Sequence, residues 1–479
     1  MAEPLLMTVL ELASAVGGTL VGASASKNPG FTSVCIDSRS VTEGSLFVAL
    51  IGTARDGHDY VESACAAGAG VVLVAASRME SDGGALRSIA EKAGATLVVV
   101  PNTLKALQDA ASAYLDRFPA LLKIGITGSS GKTTTKELAA SMIGMERRVV
   151  MNLGNLNSET GLPLSAFTVR AEHEVGIFEM GMNRRGEIGE LAAVLRPRIA
   201  LVTNVGTAHI GILGSRDAIA EEKKAIFSKF TGTELALVGE GDEYADFLVS
   251  GIRGAVRRYG PSTLQAFGGA RSLGLDGTEI LWGGLPARLA LPGAHNLANA
   301  LAAAAISEAA DVSAASIRKG IEAARPLFGR GEVLRGAVTV VRDCYNANPE
   351  ATEAAIAFCD SVDWGGRRVY IVGSMLELGE LSTAEHRRIG AALAASRADA
   401  VVLFGKETED AFRALSDSEG GRTKQAFRTD DIDELSRMVA SLVTSGDLVL
   451  LKGSRGTALE RLTDVLIPAG TSRDVGEGA

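Results

Sequence analysis

Short apolar segments alternate with amphipathic ones along the first quarter of the chain. The segments SVCIDS, GSLFVAL, AGVVLVAA and ATLVVV have the length and the content of β-branched residues that are typical of strands. Helical stretches are predicted between them, notably over 58–67 and 85–93. This alternation indicates a small α/β unit, which ends where Phe118 and Pro119 interrupt the pattern.

The alternation resumes in the central part of the chain. Strands are predicted at LLKIGIT, HEVGIFEM, RIALVTNV and LALVG, and helices over 132–145, 185–195 and 216–230. Such a pattern predicts a mainly parallel sheet that is covered by helices. Residues 255–292 are richer in glycine and short strands, which suggests a small antiparallel addition, and an alanine-rich helix over 296–310 follows.

The pattern breaks again at 326–330, and a third α/β unit follows. The segments VTVVRD, RRVYIVGS, DAVVLFG and GDLVLLKGS each precede a helical stretch, which predicts a doubly wound, Rossmann-like domain. The predicted fold class is therefore α/β with three domains. These are a small N-terminal α/β domain over 1–117, a central domain with a mainly parallel sheet over 118–328, and a Rossmann-like domain over 329–479. The polar tail over 469–479 is predicted to be disordered.

Composition and charge say more about the class of function than about the fold. The 479 residues are 46% apolar and 22% charged, as in ordinary globular proteins. A formal net charge of −9 argues against a nucleic-acid partner, because such a partner usually requires a basic face. No lysine or arginine precedes Lys27, and no apolar run approaches the ~18 residues of a membrane span. We expect a cytoplasmic monomer without membrane insertion that binds small molecules.

The strongest local signal is a phosphate-binding loop between a predicted strand and a predicted helix. Glycines let backbone N–H groups curl around phosphate oxygens, and the helix N-terminus, a lysine and a hydroxyl group supply further contacts. Only two residues separate the glycines, whereas the common pattern has four. No NKxD motif is present, which disfavours a GTPase. The predicted nucleotide-binding residues are Gly128, Ser129, Ser130, Gly131, Lys132, Thr133 and Thr134.

Two further residues are predicted to lie beside this loop. Glu179 ends one central strand and His209 follows the next, so both should emerge at the carboxyl edge of the sheet, where open α/β sheets bind ligands. A carboxylate at that place can hold Mg²⁺. Lys223 lies in the sequence EEKK, which by itself indicates a solvated helix face.

Other candidates lie on the alanine-rich helix and in the third unit. Asn296 and Asn299 are three residues apart and share a helix face, where they could contact an adenine or a ribose, although Asn296 could instead cap the helix. Asp343 and Lys452 end strands and are predicted to face a cleft. A lysine at such a place suits an anion.

Together these motifs resemble those of the Mur ligase family of peptidoglycan synthesis across nearly the whole chain. The shared features are TGSSGKTTT, the strand end EMG, TNVGTAH, GAHNLANALAAAA and the pair Gly329-Arg330. More specific segments are DSRSVTEGSLFVALIGTARDGHDY, NLGNLNSETGLPL, GSRDAIAEEK, DCYNANP, MLELGELSTAEH and LVLLKGSRG. The chain departs from the family pattern at Ser158, Ala225, Ala351 and Ser374.

The resemblance implies a ligase that uses ATP and Mg²⁺ to join D-Ala-D-Ala to a UDP-N-acetylmuramoyl-tripeptide through an acyl phosphate. It implies that 1–117 is a UDP-sugar-binding substrate domain and that 118–328 is a P-loop ATPase-like domain. It implies catalytic roles for Lys132, Glu179, His209 and Lys223, and metal contacts for Thr133, Glu179, His209 and Lys223, with the lysine carbamylated. ATP contacts are implied for Arg330 and Asp343 in addition to the loop. The implied substrate contacts are Asp37, Ser38, Arg39, Asp56, Gly57, His58, Asn155, Asn157, Tyr345, Asn346, Asn348 and Lys452.

Three alternatives stay open at the level of the sequence. A sister ligase could add an amino acid to a dipeptide precursor, or glutamate to a folate. A nucleotide-dependent regulatory protein without ligase chemistry is the alternative from a different class. The sequence also leaves open whether the third peptide residue is lysine or diaminopimelate.

Overall fold

The N-terminal part of the computed structural model, which describes residues 4–22 and 28–468, is built on a sheet with the strand order β2-β7-β6-β5-β4. Strands β4 to β7 run parallel and β2 is antiparallel at one edge, while β1 and β3 form a separate ribbon. The strands are β1 (Met7–Thr8), β2 (Thr19–Val21), β3 (Gly30–Phe31), β4 (Ser33–Cys35), β5 (Ser45–Val48), β6 (Ala69–Ala75) and β7 (Thr96–Val100). The helices are α1 (Val9–Val16), α2 (Val61–Ala66), α3 (Ala76–Ala93) and α4 (Thr103–Leu115).

Two helix boundaries here differ from the prediction. The helix predicted over 58–67 is a 3₁₀ turn, Gly57–Tyr60, followed by α2. Helix α3 begins at Ala76, nine residues before the predicted start. Its first half is polar and contains Gly83 and Gly84, so it carries little of the apolar periodicity on which the prediction depended.

The central sheet has the order β13-β12-β11-β8-β10-β9, and all of its strands are parallel, as predicted. Its strands are β8 (Leu122–Thr127), β9 (Val149–Met151), β10 (Val175–Glu179), β11 (Ile199–Val202), β12 (Leu235–Gly239) and β13 (Ala255–Tyr259). The helices are α5 (Lys132–Ile143), α6 (Gly161–Ala166), α7 (Glu187–Leu195), α8 (Ile210–Leu213), α9 (Arg216–Lys224), α10 (Ala245–Val249), α11 (Ala294–Ala309) and α12 (Ala314–Ala323).

The antiparallel addition is shorter than predicted. It consists of β14 (Phe267–Ser272), β15 (Thr278–Trp282) and β16 (Leu285–Leu289), whereas β13 extends the parallel sheet. The helix predicted over 216–230 ends at Lys224 and continues as a 3₁₀ turn, Ala225–Phe227.

The C-terminal sheet has the order β17-β18-β22-β19-β20-β21 and is parallel except for the edge strand β17. Its strands are β17 (Glu332–Arg335), β18 (Thr339–Asp343), β19 (Arg368–Gly373), β20 (Ala400–Phe404), β21 (Gln425–Thr429) and β22 (Leu448–Lys452). The helices are α13 (Pro349–Ser361), α14 (Ser382–Ala395), α15 (Glu409–Asp417), α16 (Glu419–Arg422), α17 (Ile432–Leu442) and α18 (Thr463–Leu466).

The predicted α/β class with three sheet-centred units is confirmed, while the boundaries at 117 and 328 stay predictions. The tail over 469–479, predicted to be disordered, lies outside the described residues. Over the described ranges, no helix is both long and apolar enough to span a membrane. The carboxyl ends of β8, β10 and β11 meet those of β18 and β22 across one cleft, and the candidate site lies there.

Candidate active site

The phosphate-binding loop joins β8 to α5 and depends on its two glycines. Gly128 has φ +152°, and a Cβ atom there would lie 1.7 Å from the Thr203 hydroxyl oxygen. Gly131 has φ +79°, and a Cβ atom there would lie 2.1 Å from Oδ1 of Asn299. Side chains from α11 and from the segment after β11 therefore lie so close to the loop that only glycine fits.

Replacement of Gly131 by alanine should weaken nucleotide binding. A side chain in this left-handed conformation costs about 1–2 kcal/mol, and the clash with Asn299 would displace the loop. We expect the KM for ATP to rise by about tenfold, since about 1.4 kcal/mol of binding free energy corresponds to that factor.

The control is Gly84→Ala in α3, where a new Cβ would meet no atom within 4 Å and the helical backbone accepts alanine. This variant should keep wild-type kinetics and unfold at the same or a slightly higher temperature. Equal KM values for Gly131→Ala and the wild type would contradict the importance of the close approach.

The loop is also held by polar groups of the segment that follows β11. The carbonyl oxygen of Ser130 accepts hydrogen bonds from the Thr203 hydroxyl group at 2.6 Å and from the Asn204 amide at 3.1 Å. The Ser130 N–H donates to Oδ1 of Asn204, and the Ser129 hydroxyl accepts from the N–H of Gly206. Thr203 and Asn204 lie in the segment TNVGTAH that carried part of the resemblance, but the sequence analysis did not select them as site residues.

Lys132 is the first residue of α5, and its ammonium group donates to the carbonyl oxygen of Gly128 at 2.8 Å. Burial lowers the pKa of Lys132, an effect that the carboxylates of Glu179 and Glu377 oppose and the guanidinium of Arg330 reinforces. The lysine thus lies at the loop among groups of both charges, where a phosphate would meet it.

Glu179 ends β10 and is 2% exposed. Its Oε2 accepts a hydrogen bond from the Thr133 hydroxyl at 2.6 Å, and its Oε1 accepts one from the Asn157 amide at 2.7 Å. The structure thus brings together three residues that the sequence analysis selected separately. The hydrogen-bond donors of this buried carboxylate are neutral, and Lys132 is a positive group close enough to interact with it, so a further cation would be stabilised here.

His209 follows β11 with φ +64°, and its Nδ1 lies 2.8 Å from a carboxylate oxygen of Glu377, beyond β19. The interaction with His209 lowers the pKa of Glu377 more than burial raises it. Because the contact uses Nδ1, the Nε2 atom is the ring nitrogen available to another group. Glu377 lies in the segment MLELGELSTAEH that carried part of the resemblance, but the sequence analysis did not select it as a site residue.

Lys223 contradicts the interpretation of EEKK as a solvated face. Lys223 is 1% and Glu222 is 7% exposed. The Glu222 carboxylate accepts hydrogen bonds from the N–H groups of Gly186 and Ile188 at the start of α7, which explains its burial. Burial lowers the pKa of Lys223 well below its usual value, and the positive charge of Lys132 adds to this effect.

The C-terminal side of the cleft carries the residues selected at its strand ends. Lys452 pairs with Asp343 at 2.8 Å and donates to the carbonyl oxygen of Asn346 at 2.9 Å. The guanidinium of Arg330 lies 4.0 Å from the centre of the Tyr345 ring.

Two hydrogen bonds join this side directly to the central sheet. The Asn348 amide donates to the Ser130 hydroxyl at 2.9 Å, and the Thr207 hydroxyl donates to Glu350 at 2.8 Å. The two sides are therefore in contact at the phosphate loop itself. Glu350 is another residue that the sequence analysis did not select.

Asn296 does not cap α11, contrary to one of the two predicted uses. The cap position is Gly293, and Asn296 donates from its side chain to the carbonyl oxygen of Pro292. Asn299 donates to Asn296 at 3.3 Å, so the two amides do share a helix face beside Gly131.

These elements enclose a cavity of ≈ 750 Å³ between the central and C-terminal sheets. The predicted residues that line it are Ser129, Ser130, Gly131, Lys132, Thr133, Thr134, Asn155, Asn157, Glu179, His209, Asn296, Asn299, Arg330, Asp343, Tyr345, Asn346, Asn348 and Lys452. Two predicted residues do not line the cavity. These are Gly128, at the start of the loop, and the buried Lys223.

The six N-terminal candidates, Asp37, Ser38, Arg39, Asp56, Gly57 and His58, do not line this cavity. Asp37 pairs with Arg39 at 2.6 Å, and hydrogen bonds from Arg39 lower the pKa of Asp37 to about 2. The His58 side chain is fully buried, with Nδ1 2.6 Å from Asp56 and Nε2 accepting from the N–H of Ala75. It is therefore placed to orient Asp56, whose side chain is partly exposed, while the Arg39 side chain is exposed.

Known proteins resemble the chain over almost its whole length. Sequence profiles match at residues 30–115 (Mur ligase family, catalytic domain), 126–307 (Mur ligase middle domain) and 329–455 (Mur ligase, glutamate ligase domain). A UDP-N-acetylmuramoyl-tripeptide–D-alanyl-D-alanine ligase from Treponema pallidum is 43% identical over 462 residues, which cover 96% of this chain and 99% of that protein.

Two solved structures share the fold. The crystal structure of MurF from Acinetobacter baumannii superposes with a TM-score of 0.84 at 29% identity and covers 96% of this chain and 98% of its own. MurF ligase from Thermotoga maritima, solved in complex with ADP, superposes with a TM-score of 0.72 at 26% identity and covers 90% of this chain and 96% of its own.

Proposed function

The chain belongs to the Mur ligase family, and on that basis we propose that it joins D-Ala-D-Ala to the terminal carboxylate of UDP-N-acetylmuramoyl-tripeptide at the expense of ATP. The observation that carries this proposal is the single cleft in which a glycine-dependent phosphate loop and a buried carboxylate face basic groups of the C-terminal sheet. The product would be a peptidoglycan precursor.

The reaction requires activation because a free carboxylate is a poor electrophile. A carboxylate oxygen of the tripeptide attacks the γ-phosphorus of ATP, the bond to the β-phosphate oxygen breaks, and ADP leaves. The amine of D-Ala-D-Ala then attacks the acyl carbon of the resulting acyl phosphate. Loss of inorganic phosphate and of a proton completes the amide.

Electrostatic repulsion is the main obstacle to the first step. Two unit charges of like sign at ~4 Å repel by about 4 kcal/mol at an effective dielectric constant of 20, and a triphosphate presents several. The Lys132 ammonium group at the loop is suited to reduce this repulsion and to stabilise the charge that develops during transfer. Arg330 and Lys452 are basic groups on the opposite wall of the cavity.

The donor set at Glu179 suits Mg²⁺. It consists of a carboxylate and the Thr133 hydroxyl, both oxygen ligands, with His209 on the same cavity wall. The part of the chain that the structure describes has no cluster of three or more His, Cys, Asp or Glu side chains arranged for a metal. A sparse protein ligand set suits Mg²⁺, which is usually held by one or two carboxylates, phosphates and water. When bound, the ion would neutralise phosphate charge.

Lys223 is proposed to be carbamylated. Burial lowers the pKa of Lys223 well below its usual value and so favours the neutral amine, whose nitrogen can attack CO₂ to form an N–C bond with release of one proton. The carbamate would be a carboxylate at the end of a long side chain. It would also remove the unfavourable pairing of Lys223 with the positive charge of Lys132.

Further proposals concern the residues that contact each substrate, the cellular location and the oligomeric state. Asp37, Arg39 and Asp56 are proposed to meet the uridine nucleotide, Asn155 and Asn157 the peptide, and Asn296, Asn299, Arg330 and Asp343 ATP. We also propose that the protein is a cytoplasmic monomer, since the proposed reaction consumes ATP, which the cytoplasm supplies.

Release of phosphate from ATP tests the proposed function. We expect release only when UDP-N-acetylmuramoyl-tripeptide and D-Ala-D-Ala are both present, together with a pentapeptide product detected by mass spectrometry. Parallel reactions with the lysine and the diaminopimelate tripeptide would identify the third residue. Release with another amine or acceptor would move the protein to a sister activity. ATP binding without release for any acceptor would favour the regulatory alternative.

A further inference from the structure

Asn152 lies directly after β9, where β10 continues without a neighbouring strand on that side. Strand β9 pairs with β10 only as far as Met151 opposite Ile177. Strand β10 runs two residues further, to Glu179, and on that side its backbone has lost the neighbouring strand. Asn152 is the next residue after β9, and it is 0% exposed.

The Asn152 side chain replaces the missing strand. Its Oδ1 accepts a hydrogen bond from the N–H of Glu179 at 2.9 Å, and its Nδ2 donates to the carbonyl oxygen of Glu179 at 3.1 Å. A strand neighbour would make the same pair of backbone contacts. Both backbone polar groups of Glu179, its N–H and its carbonyl oxygen, are therefore held by one amide, within a buried region where unsatisfied polar groups are costly.

The same amide also holds the loop that faces the substrate. The Nδ2 of Asn152 donates a second hydrogen bond to the carbonyl oxygen of Leu156 at 2.8 Å. The next residue, Asn157, donates from its side chain to Oε1 of Glu179. The Asn152 side chain thus uses its oxygen and both of its N–H groups. It holds the backbone of Glu179 and also the loop whose Asn157 donates to a carboxylate oxygen of Glu179.

Lys136 connects this point to the phosphate loop. Its fully buried ammonium group donates to the carbonyl oxygen of Asn152 and pairs with Glu137 at 3.2 Å. Lys136 lies one helical turn after Lys132 in α5, so the helix that begins at the phosphate loop is bonded to the end of β9.

We propose that Asn152 is a positioning residue that joins the nucleotide side of the site to the peptide side through Glu179. The inference rests on the proposed function, because it takes Glu179 as a ligand of Mg²⁺. Residues that orient metal ligands typically change metal affinity or activity about tenfold to 100-fold when they are replaced.

The test compares the Mg²⁺ dependence of nucleotide binding in the wild type and in Asn152→Asp. Aspartate has the same shape but no Nδ2 donor, so the carbonyl oxygens of Leu156 and Glu179 would face an oxygen. Binding of the non-hydrolysable analogue AMP-PNP is measured by calorimetry over a series of Mg²⁺ concentrations and in EDTA. We expect half-saturation to require about tenfold to 100-fold more Mg²⁺, with unchanged binding in EDTA.

The steady-state kinetics of Asn152→Asp are a second test, because loss of stability alone would not produce the pattern expected. We expect kcat to fall and the KM for the tripeptide to rise, while the KM for D-Ala-D-Ala changes little. The matched control is Val150→Ala, which weakens the packing of β9 two residues away from Asn152. It should lower the unfolding temperature but leave the Mg²⁺ curve in place. Asn152→Ser takes the place of Asn152→Asp if the latter shows no cooperative unfolding.

Glu179→Gln separates failure of this inference from failure of the proposed function. A shifted Mg²⁺ curve for Glu179→Gln with a wild-type curve for the Asn152 variants would overturn the role of Asn152 alone. An unshifted curve for Glu179→Gln would overturn the role of Glu179 and, with it, this inference. The same shift for Val150→Ala as for Asn152→Asp would show a general loss of stability and would also overturn the inference.

Discussion

Lys132→Ala is expected to lower kcat by about 10³-fold, the upper end of the effect of removing one stabilising group from a transition state. The physical reason is that Lys132 is the cation at the phosphate loop itself, fixed at 2.8 Å from the carbonyl oxygen of Gly128. Without it, the tripeptide carboxylate would approach the triphosphate against several like charges. Phosphate release under saturating substrates measures the effect.

The control for Lys132→Ala is Lys105→Ala, in the exposed face of α4, where the lysine pairs with Asp109. An exposed pair of this kind contributes little, so this variant should keep wild-type turnover and stability. Lys132→Arg is a second comparison, because it keeps the charge in a larger, planar group and should recover part of the activity. Near-normal turnover by Lys132→Ala would contradict the assignment of the loop.

Lys223→Arg is expected to lower kcat by about 10²–10³-fold, which is a similar loss of transition-state stabilisation. Arginine keeps a positive charge and cannot form a carbamate with CO₂, so the proposed carboxylate would be replaced by a cation at a 1% exposed position beside Lys132. Activity of the wild type after removal of dissolved CO₂ should fall and should return on addition of bicarbonate, whereas Lys223→Arg should not respond.

The neighbouring Lys224 is the matched control for Lys223. Its ammonium group is partly exposed and donates to Ser250 and to the carbonyl oxygen of Phe247, away from the cavity. Lys224→Arg should therefore retain turnover and its response to CO₂. An unchanged mass for Lys223 in bicarbonate, together with full activity of Lys223→Arg, would contradict the carbamate.

Local patterns were sufficient for the phosphate loop and for the residues at strand ends. Gly128, Lys132 and Thr133 were recognised because a strand, a glycine-rich turn and a helix follow one another directly in the sequence. Glu179 and Asp343 were selected because parallel strands present their carboxyl ends at one edge, and the structure lines the cavity with both.

Positions that depend on long-range contacts were not predictable. Lys223 looked solvated because the charges around it are adjacent in sequence, yet packing of α9 against α7 buries it together with Glu222. Glu350 and Glu377 lie beside or within segments that carried the resemblance, but their partners are far away in the sequence. Only the approach of the C-terminal sheet brings them to Thr207 and His209.

The sequence by itself determined the α/β class, the alternation that gives three sheet-centred units, the phosphate loop and the family. These properties depend on periodicity and on short motifs, which involve residues that are close along the chain. Only the tertiary structure decided the burial of Lys223, the partners of Glu179 and the hydrogen bonds of Asn152 to the end of β10. Elsewhere in the cleft, a hydrogen bond joins Ser130 and Asn348, which are 218 positions apart in the sequence. No local sequence pattern encodes contacts over such separations.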